Sequence, residues 1–469
     1  MRGDRGSLRL SGALGLTLAA ALVWGLAHLL AGRRAAGAAL LAAQVLLVAG
    51  LTAAATALRP EVLALVARPG RLAGLAVAAV LLGLAWATVI VSSYRLVRPP
   101  GLDGPGRSLG RAAVGVMCAA ALLPTLYAAR LAYVGRDVVT TVFATRGAAS
   151  ADPWQGRYRV NVLLLGADAA ARRPGARTDS MSVAAVDTRT GRTVLFSLPR
   201  NLQHVPMPAG PARRMFPGGF AGDGTLNHPG LLNEVYQWAE DHPEAVPGVP
   251  AGRRGPELLK RTIGGILGLP IDYYAMVDMK GFARIIDATG GVRVTVKNDI
   301  PYGLAGGVLR AGTRRLSGAE ALWFGRSRSD GDDYVRMGRQ RCLLDAVARQ
   351  ADPFTVIRSF GRLADAAKRY ISTDIPQESL PAFITLSRKI KDAPLESVQF
   401  VPPLIDTAAP DWALIREKVS ETTGVPLPAS TRTRRGAPGD PAASGSRASA
   451  TPSSISPQTE QTSPNASCN

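Results

Sequence analysis

Long apolar stretches separated by short arginine-bearing segments make up the first part of the chain. Four of them lie at about residues 10–31, 36–57, 72–94 and 112–133, and each reaches the roughly 20 residues with which a helix crosses a bilayer. One such stretch could be a buried helix of a soluble protein, but four in succession are not explained in that way. Further apolar spans follow the first one, which argues against a cleaved signal peptide. Residues 1–135 are therefore predicted to form a transmembrane region of about four helices.

After a predicted linker at 136–156, strand-like and helix-like patterns alternate. The segment "YRVNVLLLGAD" (158–168) has the apolar run of a buried strand, and "DSMSVAAVDTRTGRTVLFSLPR" (179–200) predicts two strands around a turn. Helical spacing of apolar residues follows in "GPELLKRTIGGILGLP" (255–270) and "YVRMGRQRCLLDAVARQ" (334–350). This alternation predicts a layered α/β/α domain with a central mixed sheet over residues 157–350.

The remainder of the chain falls into two parts. Residues 351–424 contain helix patterns and a strand-like segment, "VQFVPP" (398–403), which are expected to complete the domain. From residue 425 onward the chain is rich in Pro, Ser, Thr, Ala and Gly and holds few apolar residues. Such a segment buries too little surface to offset its ordering entropy, so 425–469 is predicted to be a disordered tail.

Composition and charge narrow the choice of partners. The 469-residue chain is 47% hydrophobic and yet has a formal net charge of +20. Arginines flanking the four spans divide evenly between the two sides of the membrane, so the positive-inside rule does not orient the chain. Few aromatic residues accompany the basic ones, and this argues against a nucleic-acid surface. The three cysteines, Cys118, Cys342 and Cys468, lack the spacing of a metal site or a disulfide framework.

Two aspartates lie at the ends of neighbouring predicted strands. Asp168 ends the first strand and Asp179 begins the next. Such a pair suits Mg²⁺, or Mn²⁺ in its place, because Mg²⁺ binds one or two carboxylates and completes its shell with water and phosphate oxygens. The alternative is that each aspartate caps a turn. The sequence leaves both interpretations open.

Arginines are concentrated near these aspartates and in "RSRSDGDDYVRMGRQR" (326–341). By itself this stretch is typical of a solvated, ion-paired surface. Arginine also binds phosphate oxygens through two N–H groups at once, which makes it the preferred residue at fixed phosphate sites. The candidate phosphate-binding residues are Arg177, Arg200, Arg326, Arg328, Arg336 and Gln340.

The chain resembles the LytR-CpsA-Psr family of cell-wall enzymes over about residues 157–350. The resemblance rests on five segments in the family's order: "NVLLLGAD", "RTDSMSVAAVDTRTGRTVLFSLPR", "LLNEVYQWAE", "IDYYAMVDMKGFARIIDATGGVRVTV" and "LSGAEALWFGRSRSDGDDYVRMGRQR". It implies an extracytoplasmic α/β domain tethered to the cell membrane. It also implies Mg²⁺-assisted transfer of a glycopolymer, such as a teichoic acid, from a polyprenyl (pyro)phosphate carrier onto peptidoglycan, with formation of a phosphodiester.

The resemblance also implies roles for individual residues. Asp168 and Asp179 match the family's metal-associated pair. The residues that match the contacts to the carrier's phosphates are the four catalytic arginines, Arg177, Arg200, Arg326 and Arg328, together with Arg336 and Gln340. The carrier's lipid would occupy an apolar pocket.

Candidate lining residues for that pocket are Ile263, Ile266, Leu267 and Phe282, although a plain core is the expected role for any one of them. Asp330, Asp332, Arg339 and Arg341 are expected to be loop or solvent-facing groups.

The sequence departs from the family pattern and leaves alternatives open. Asn201 stands where the family usually has an aspartate after the arginine of "PR", and four spans replace the common single anchor. Asp179 and Asp333 are both conceivable general bases, and neither is assigned. A non-catalytic protein that binds lipid phosphates or regulates the envelope remains an alternative, as does a polyprenyl pyrophosphatase.

Overall fold

The computed structural model describes residues 10–56, 68–100, 104–144, 154, 156–168, 177–224, 229–303, 306–328, 333–350 and 359–425. Within these ranges the side chains of Ala54, Ala55, Arg177, Asp333 and Ala348 are not described. The chain divides into two compact units. One comprises Met1–Ser150 and Pro376–Thr385, and the other comprises Ala151–Ile375 and Leu386–Asn469. The predicted tail at 425–469 lies outside the described residues, apart from Val425.

The first unit is built from apolar helices. They are α1 Leu10–Leu22, α2 Leu26–Leu30, α3 Arg34–Thr56, α4 Pro69–Val97 and α5 Gly104–Val142. Within the described residues three helices, α3, α4 and α5, are long and apolar enough to cross a membrane, and α1 is a shorter apolar helix. The apolar N-terminal helices therefore indicate a membrane anchor. The last of them continues beyond residue 135, into the segment predicted as a linker.

The first predicted span, 10–31, is two helices rather than one. The helix is interrupted before Gly25, which has a φ of 89°, a conformation that favours glycine. The side-chain amide of Gln44 in α3 binds two backbone groups at this interruption. Its Nε2 donates to the Leu22 carbonyl (2.6 Å), and its Oε1 accepts from the Trp24 N–H (2.8 Å). Inside a bilayer backbone polar groups need such internal partners. Apolar length alone does not reveal a break of this kind.

The second unit contains the predicted central mixed sheet, which has six strands in the order β10-β3-β2-β1-β4-β9. Its strands are β1 Arg159–Asp168, β2 Arg177–Asp187, β3 Thr193–Leu198, β4 Tyr273–Asp278, β9 Ile371–Thr373 and β10 Leu395–Gln399. The pairs β1–β2, β2–β3 and β4–β9 are antiparallel, and β1–β4 and β3–β10 are parallel. Two small antiparallel sheets pair β5 Val292–Val296 with β8 Gly312–Leu316 and β6 Ile300–Tyr302 with β7 Gly307–Leu309.

Nine further helices follow α5 within the described residues. They are α6 Pro211–Met215, α7 Val235–Asp241, α8 Arg254–Leu267, α9 Met279–Ala288, α10 Gly318–Arg326, α11 Asp333–Gln350, α12 Phe360–Tyr370, α13 Leu380–Asp392 and α14 Trp412–Thr423. The strand predicted at 398–403 is wrong in its bounds, because β10 ends at Gln399 and Pro402 has no N–H with which to extend the ladder.

Alternation along the strands separates a core face of the sheet from a second face. Leu163, Met181 and Phe196 lie in the main hydrophobic cluster, together with residues of α8 and α14. Ile263, Ile266 and Leu267 belong to this core, which confirms the plain core role expected for any one of them. On the opposite face, Leu164 and Ser182 border a cavity instead.

A second, smaller cluster lies between β5, β8 and the helices that follow them. It includes Val292, Val294, Leu316, Phe324 and Leu343, each nearly inaccessible to solvent. The cluster fixes α10 and α11 against the small β5–β8 sheet, and these two helices carry Arg326 and Arg336.

Candidate active site

A cavity of about 450 Å³ lies on the second face of the sheet. Its charged and polar lining includes Asp179, Arg200, Arg326, Arg328, Arg336 and Gln340. Its apolar lining includes Leu164, Ala275, Val277, Phe282, Leu322 and Leu343. The cavity therefore combines a cationic surface with an apolar one, which is the lining that an amphiphilic anion requires.

A β-bulge places Asp179 in this cavity. Gly166 of β1 pairs with Ser180 and Ala167 pairs with Thr178, so Asp179 is the extra residue of β2. Regular alternation would place the Asp179 side chain on the side of Met181, which is buried in the main core. Bulges locally reverse this alternation and re-aim a side chain, and here the bulge presents a carboxylate to the cavity.

Two arginines hold Asp179. The Nη1 of Arg200 donates to its Oδ1 at 2.6 Å, with the two side chains 23% and 19% exposed. The Nη1 of Arg336, a residue only 4% exposed, donates to the Asp179 backbone carbonyl at 3.0 Å. Arg200 follows β3, Arg336 lies in α11, and Asp179 lies in β2, so three separate elements meet at this residue.

Asp168 lies at the end of β1 and forms the second ion pair of the site. The Nη2 of Arg326 donates to its Oδ2 at 3.1 Å. Arg326 is the last residue of α10 and lines the cavity. Each predicted metal ligand thus contacts a predicted phosphate-binding arginine, and the structure brings both pairs to one region.

The donor set is compatible with a hard cation. Within the described residues no group of three or more His, Cys, Asp or Glu side chains could hold a metal ion. Asp168 and Asp179 are two carboxylates on adjacent strands, and Mg²⁺ needs no more protein ligands when water and phosphate oxygens complete its shell. The residues present therefore fit Mg²⁺ bound together with a phosphate substrate.

Helix α11 clamps the segment that carries Arg326 and Arg328. The Nε2 of Gln340 donates to the Gly325 carbonyl at 3.1 Å, and the Nη1 of Arg339 donates to the Ser327 carbonyl at 3.0 Å. Because Ser327 lies between the two arginines, these bonds fix the backbone from which both side chains extend. Gln340 borders the cavity and also has this structural contact.

The prediction that Arg339 and Arg341 face solvent is wrong. They are 9% and 7% exposed, and the Arg339 guanidinium lies 5.6 Å from the centre of the Phe324 ring. Burial lowers the pKa of Arg341, and nearby Asp345 partly opposes that shift. Helix α11 packs on α10, so Arg339 and Arg341 extend along covered surfaces rather than into water.

The remaining predicted residues are less completely described. Arg177 is the first residue of β2 and pairs with Asp168 in the strand ladder, and its side chain lies outside the description. Arg328 is exposed and lines the cavity. Asp333 begins α11, while Asp330 and Asp332 lie outside the described residues.

Several polar residues at the site escaped the sequence prediction. Ser180 and Ser182 border the cavity, and the Ser182 and Ser197 hydroxyls lie 3.0 Å apart. The N–H of Asn233 donates to the Arg200 carbonyl at 3.1 Å and so holds the turn that presents Arg200. The Oδ1 atoms of Asn233 and Asn201 are buried and have no partner among the described residues. Of these residues, only Asn233 had a sequence signal, because it lies in "LLNEVYQWAE", one of the five segments that carry the family resemblance.

Helix α11 also carries a disulfide-bonded cysteine, Cys342. Cys118 in the first unit is free. Cysteine spacing along the chain gave no indication of the bond at Cys342.

Comparisons with known proteins agree with these observations. The model of the LytR_cpsA_psr family matches residues 141–403. Two similar proteins are named polyisoprenyl-teichoic acid–peptidoglycan teichoic acid transferase TagU. The one from Oceanobacillus iheyensis is 30% identical over 234 residues (48% of this chain, 62% of the relative), and the one from Bacillus mycoides is 27% identical over 223 residues (47% and 62%). The chain thus matches less than two thirds of their length.

Two solved structures are also similar to this chain. A Streptococcus agalactiae protein has a TM-score of 0.44 and 20% identity, covering 60% of this chain and 93% of its own. TagV of B. subtilis has a TM-score of 0.39 and 22% identity, covering 56% and 96%. The family match spans more than half of the chain and includes every residue assigned to the site. The chain belongs to the LytR-CpsA-Psr family.

Proposed function

We propose that the protein is a membrane-anchored phosphotransferase that moves a glycopolymer from a polyprenyl (pyro)phosphate carrier onto peptidoglycan. One observation carries the proposal. The bulge at Asp179 gathers Arg200 and Arg336 in a cavity whose remaining walls are apolar. A lipid-linked pyrophosphate has the matching combination of a compact anion and a hydrocarbon chain. The relatives named as teichoic acid transferases support the same substrate class.

The reaction is a displacement at the phosphorus next to the sugar. An acceptor hydroxyl oxygen, which we take to be on a muramyl residue, forms a bond to this phosphorus, and the bond from it to the bridging pyrophosphate oxygen breaks. The polyprenyl monophosphate leaves with the electron pair, and the hydroxyl proton passes to a base. Such transfers depend on positioning and charge stabilisation more than on covalent catalysis by the protein. Neither Asp179 nor Asp333 is assigned as the base.

The arginines supply the charge stabilisation. Arg200, Arg326, Arg328 and Arg336 line the cavity and oppose two aspartates, so the site has an excess of positive charge for the pyrophosphate. Without substrate, Asp179 and Asp168 hold Arg200 and Arg326 in place. Pre-positioned donors of this kind stabilise charge that develops on the leaving phosphate without reorganisation during the reaction.

We further propose that Asp168 and Asp179 hold Mg²⁺, or Mn²⁺ in its place. Such an ion, bound with the substrate, would act as a Lewis acid on the phosphate oxygens. Asp168 and Asp179 would hold the ion, and Arg200, Arg326, Arg328 and Arg336 would bind the phosphate oxygens.

The catalytic unit is proposed to lie outside the cytoplasm, with the N-terminal helices as a multi-pass anchor. The helices α3, α4 and α5 support the anchor. The disulfide at Cys342 supports the location, since disulfides persist mainly in oxidising compartments. Peptidoglycan and the lipid-linked polymer are both available on that side of the membrane.

A regulatory protein that binds lipid phosphates without turnover is the second candidate. It is favoured by one relative, named regulatory protein MsrR, from Staphylococcus aureus, which is 33% identical over 129 residues (27% of this chain, 39% of the relative). A pyrophosphatase that uses water as acceptor would employ the same residues.

The full-length protein in detergent, supplied with a lipid-linked glycan and a peptidoglycan oligomer, tests these possibilities. We expect transfer by the wild type and none by Arg200→Ala or Asp179→Ala, with both variants folded by circular dichroism and all three proteins retaining their disulfide. Full activity in both variants would refute the assigned site. Release of glycan phosphate without transfer would indicate a pyrophosphatase, and tight lipid binding without any turnover would indicate the regulatory protein.

A further inference from the structure

The β5–β8 sheet presents an unusually basic outer face. Buried Val292, Val294 and Val296 form the inner side of β5, so Arg293 and Thr295 point away from the core. In the ladder Arg293 pairs with Arg315, and Thr295 pairs with Thr313. The two threonine hydroxyls lie 3.1 Å apart. The outward side of this sheet is thus a pair of directly opposed arginines beside a pair of hydroxyls.

The opposed arginines have no local carboxylate partner. Residues 292–316 contain five basic side chains and a single acidic one, Asp299. Asp299 is already occupied, since it accepts from the Arg310 guanidinium at 2.9 Å and from the Ala311 N–H at 2.7 Å. Within the described residues the Arg315 guanidinium donates to the Gly290 carbonyl, and the Arg293 guanidinium has no partner. Like charges directly opposite in a sheet are destabilising, which calls for a compensating interaction.

The Gln350 side chain covers the β5 edge at Arg293. The side-chain amide of Gln350, at the end of α11, binds both backbone groups of Arg293, with an N–H to Oε1 distance of 2.8 Å and an Nε2 to carbonyl distance of 2.6 Å. The backbone edge at Arg293 is therefore satisfied. Recognition at this face must come from the side chains.

We propose that this face binds the phosphate-bearing polysaccharide chain of the lipid-linked donor, a proposal that rests on the proposed transferase function. Paired guanidinium groups bind phosphodiester oxygens through charge-assisted hydrogen bonds, and the neighbouring hydroxyls of Thr295 and Thr313 match sugar hydroxyls. Bound phosphates would also relieve the repulsion between Arg293 and Arg315.

The position of the face suits a polymer that extends away from the reacting phosphate. Strand β8 leads directly into α10, a helix of nine residues that ends at Arg326 in the active site. At 1.5 Å per residue this helix is about 13 Å long. A linear polymer of a few repeats covers such a distance, whereas the pyrophosphate alone does not.

The composition of the face distinguishes this partner from other polyanions. A membrane-binding face combines basic residues with large apolar ones that enter the bilayer, and a single-strand nucleic-acid surface adds aromatic rings for stacking. The described outward positions 293, 295, 313 and 315 carry only arginine and threonine.

The test measures binding of end-labelled, lipid-free poly(glycerol phosphate) to the full-length protein in detergent, by fluorescence anisotropy at several salt concentrations. The variant is Arg293→Gln with Arg315→Gln. The matched control is Arg192→Gln with Arg261→Gln, two exposed arginines that are each paired with a glutamate. Uncharged dextran of similar length controls for polysaccharide binding, and phosphatidylglycerol vesicles control for binding to a lipid surface.

We expect the variant to bind the polymer at least about tenfold more weakly. The slope of log affinity against log salt should fall by about two, because two phosphate contacts are lost, while the control pair stays within about twofold of the wild type. Unchanged polymer binding by the variant would overturn the proposal, as would a loss restricted to the vesicles. The single variant Arg293→Gln is measured as well. The Arg293 guanidinium has no partner in the described structure, so we expect its removal to leave the fold intact.

The double variant, Arg293→Gln with Arg315→Gln, also distinguishes failure of the polymer-binding face from failure of the proposed transferase function. Transfer of a donor that carries only the first sugar should be unchanged, while the KM for a long-chain donor should rise. Normal transfer of both donors, with equal KM values, would overturn the polymer face and leave the transferase standing. Polymer binding by a wild-type protein that transfers nothing would leave the face standing and refute the transferase.

Discussion

Arg339 offers a sharp test of how the site is held together. Its guanidinium is buried, bonded to the Ser327 carbonyl at 3.0 Å and placed over the Phe324 ring. Arg339→Met keeps the length of the side chain and removes its donors and charge. We expect this variant to loosen the backbone between Arg326 and Arg328 without emptying the space that the side chain fills.

The expected loss of stability follows from the contacts. A hydrogen bond from a charged donor contributes about 1.5–3 kcal/mol, and a cation–π contact contributes about 0.5–1 kcal/mol. Relief of the cost of burying a cation offsets part of this, which leaves a net loss of about 2 kcal/mol. For a domain of 150–250 residues each kcal/mol lowers Tm by about 2–4 °C, so a fall of about 4–8 °C is expected.

The effect on activity should exceed the effect on folding. A misplacement of about 1 Å can reduce a rate by about 100-fold, and Ser327 connects the two arginines of the cavity. We expect kcat/KM for transfer to fall by about 10- to 100-fold at a temperature well below Tm, with a smaller fall for Arg339→Lys, which keeps the charge. Steady-state transfer kinetics and thermal unfolding of the same preparations measure both effects.

Arg349→Met is the matched control, since Arg349 lies on the same helix. Its side chain is 59% exposed and pairs with Asp345, an interaction that contributes about 0.3–0.5 kcal/mol. This variant should keep nearly all activity and stability. Equal losses in the two variants, or wild-type kinetics in Arg339→Met, would refute the positioning role of Arg339.

Three further predictions concern other parts of the chain. Gln44→Leu leaves the backbone groups at the break between α1 and α2 without partners, so the Tm in detergent should fall, whereas an unchanged Tm would mean that the amide is dispensable. Burial acts to raise the pKa of Asp187, but hydrogen bonds from Thr190 and Arg189 outweigh it and lower the pKa. The stability that ionised Asp187 contributes is therefore present above the ordinary carboxyl pKa of about 4, and it is lost as the pH falls through the pKa of the folded state. The loss of unfolding free energy caused by Asp187→Asn, measured in urea, should therefore shrink in acid. A loss that is independent of pH would contradict this. A reducing agent should lower the Tm of the wild type and of Cys118→Ser but not that of Cys342→Ser, and equal sensitivity of all three would exclude the disulfide as the cause.

The sequence predicts the site's residue types better than their geometry. The apolar run of β1 and the hairpin that follows placed Asp168 and Asp179 at neighbouring strand ends. The extra residue in β2, which turns Asp179 from the core into the cavity, depends on the register of two paired strands. No local pattern encodes that register, so the bulge was not predictable.

The buried arginines of α11 illustrate a second limit. Charge and helical spacing predicted that Arg336 and Gln340 share a face and that Arg339 points elsewhere, which is correct. Spacing does not show that α10 covers that other face, so Arg339 was assigned to solvent. The break before Gly25 is a similar case, because only the contact with Gln44 in another helix makes it stable.

The fate of the two donor phosphates tests the central claim most directly. The lipid-linked glycan is prepared with ³²P either next to the sugar or next to the lipid, and the products of the full-length protein and a peptidoglycan oligomer are separated. A phosphotransferase places the sugar-proximal label in peptidoglycan and leaves the other label in polyprenyl monophosphate. If both labels stay with the lipid, or if the sugar-proximal label appears in free glycan phosphate, the proposed reaction is wrong.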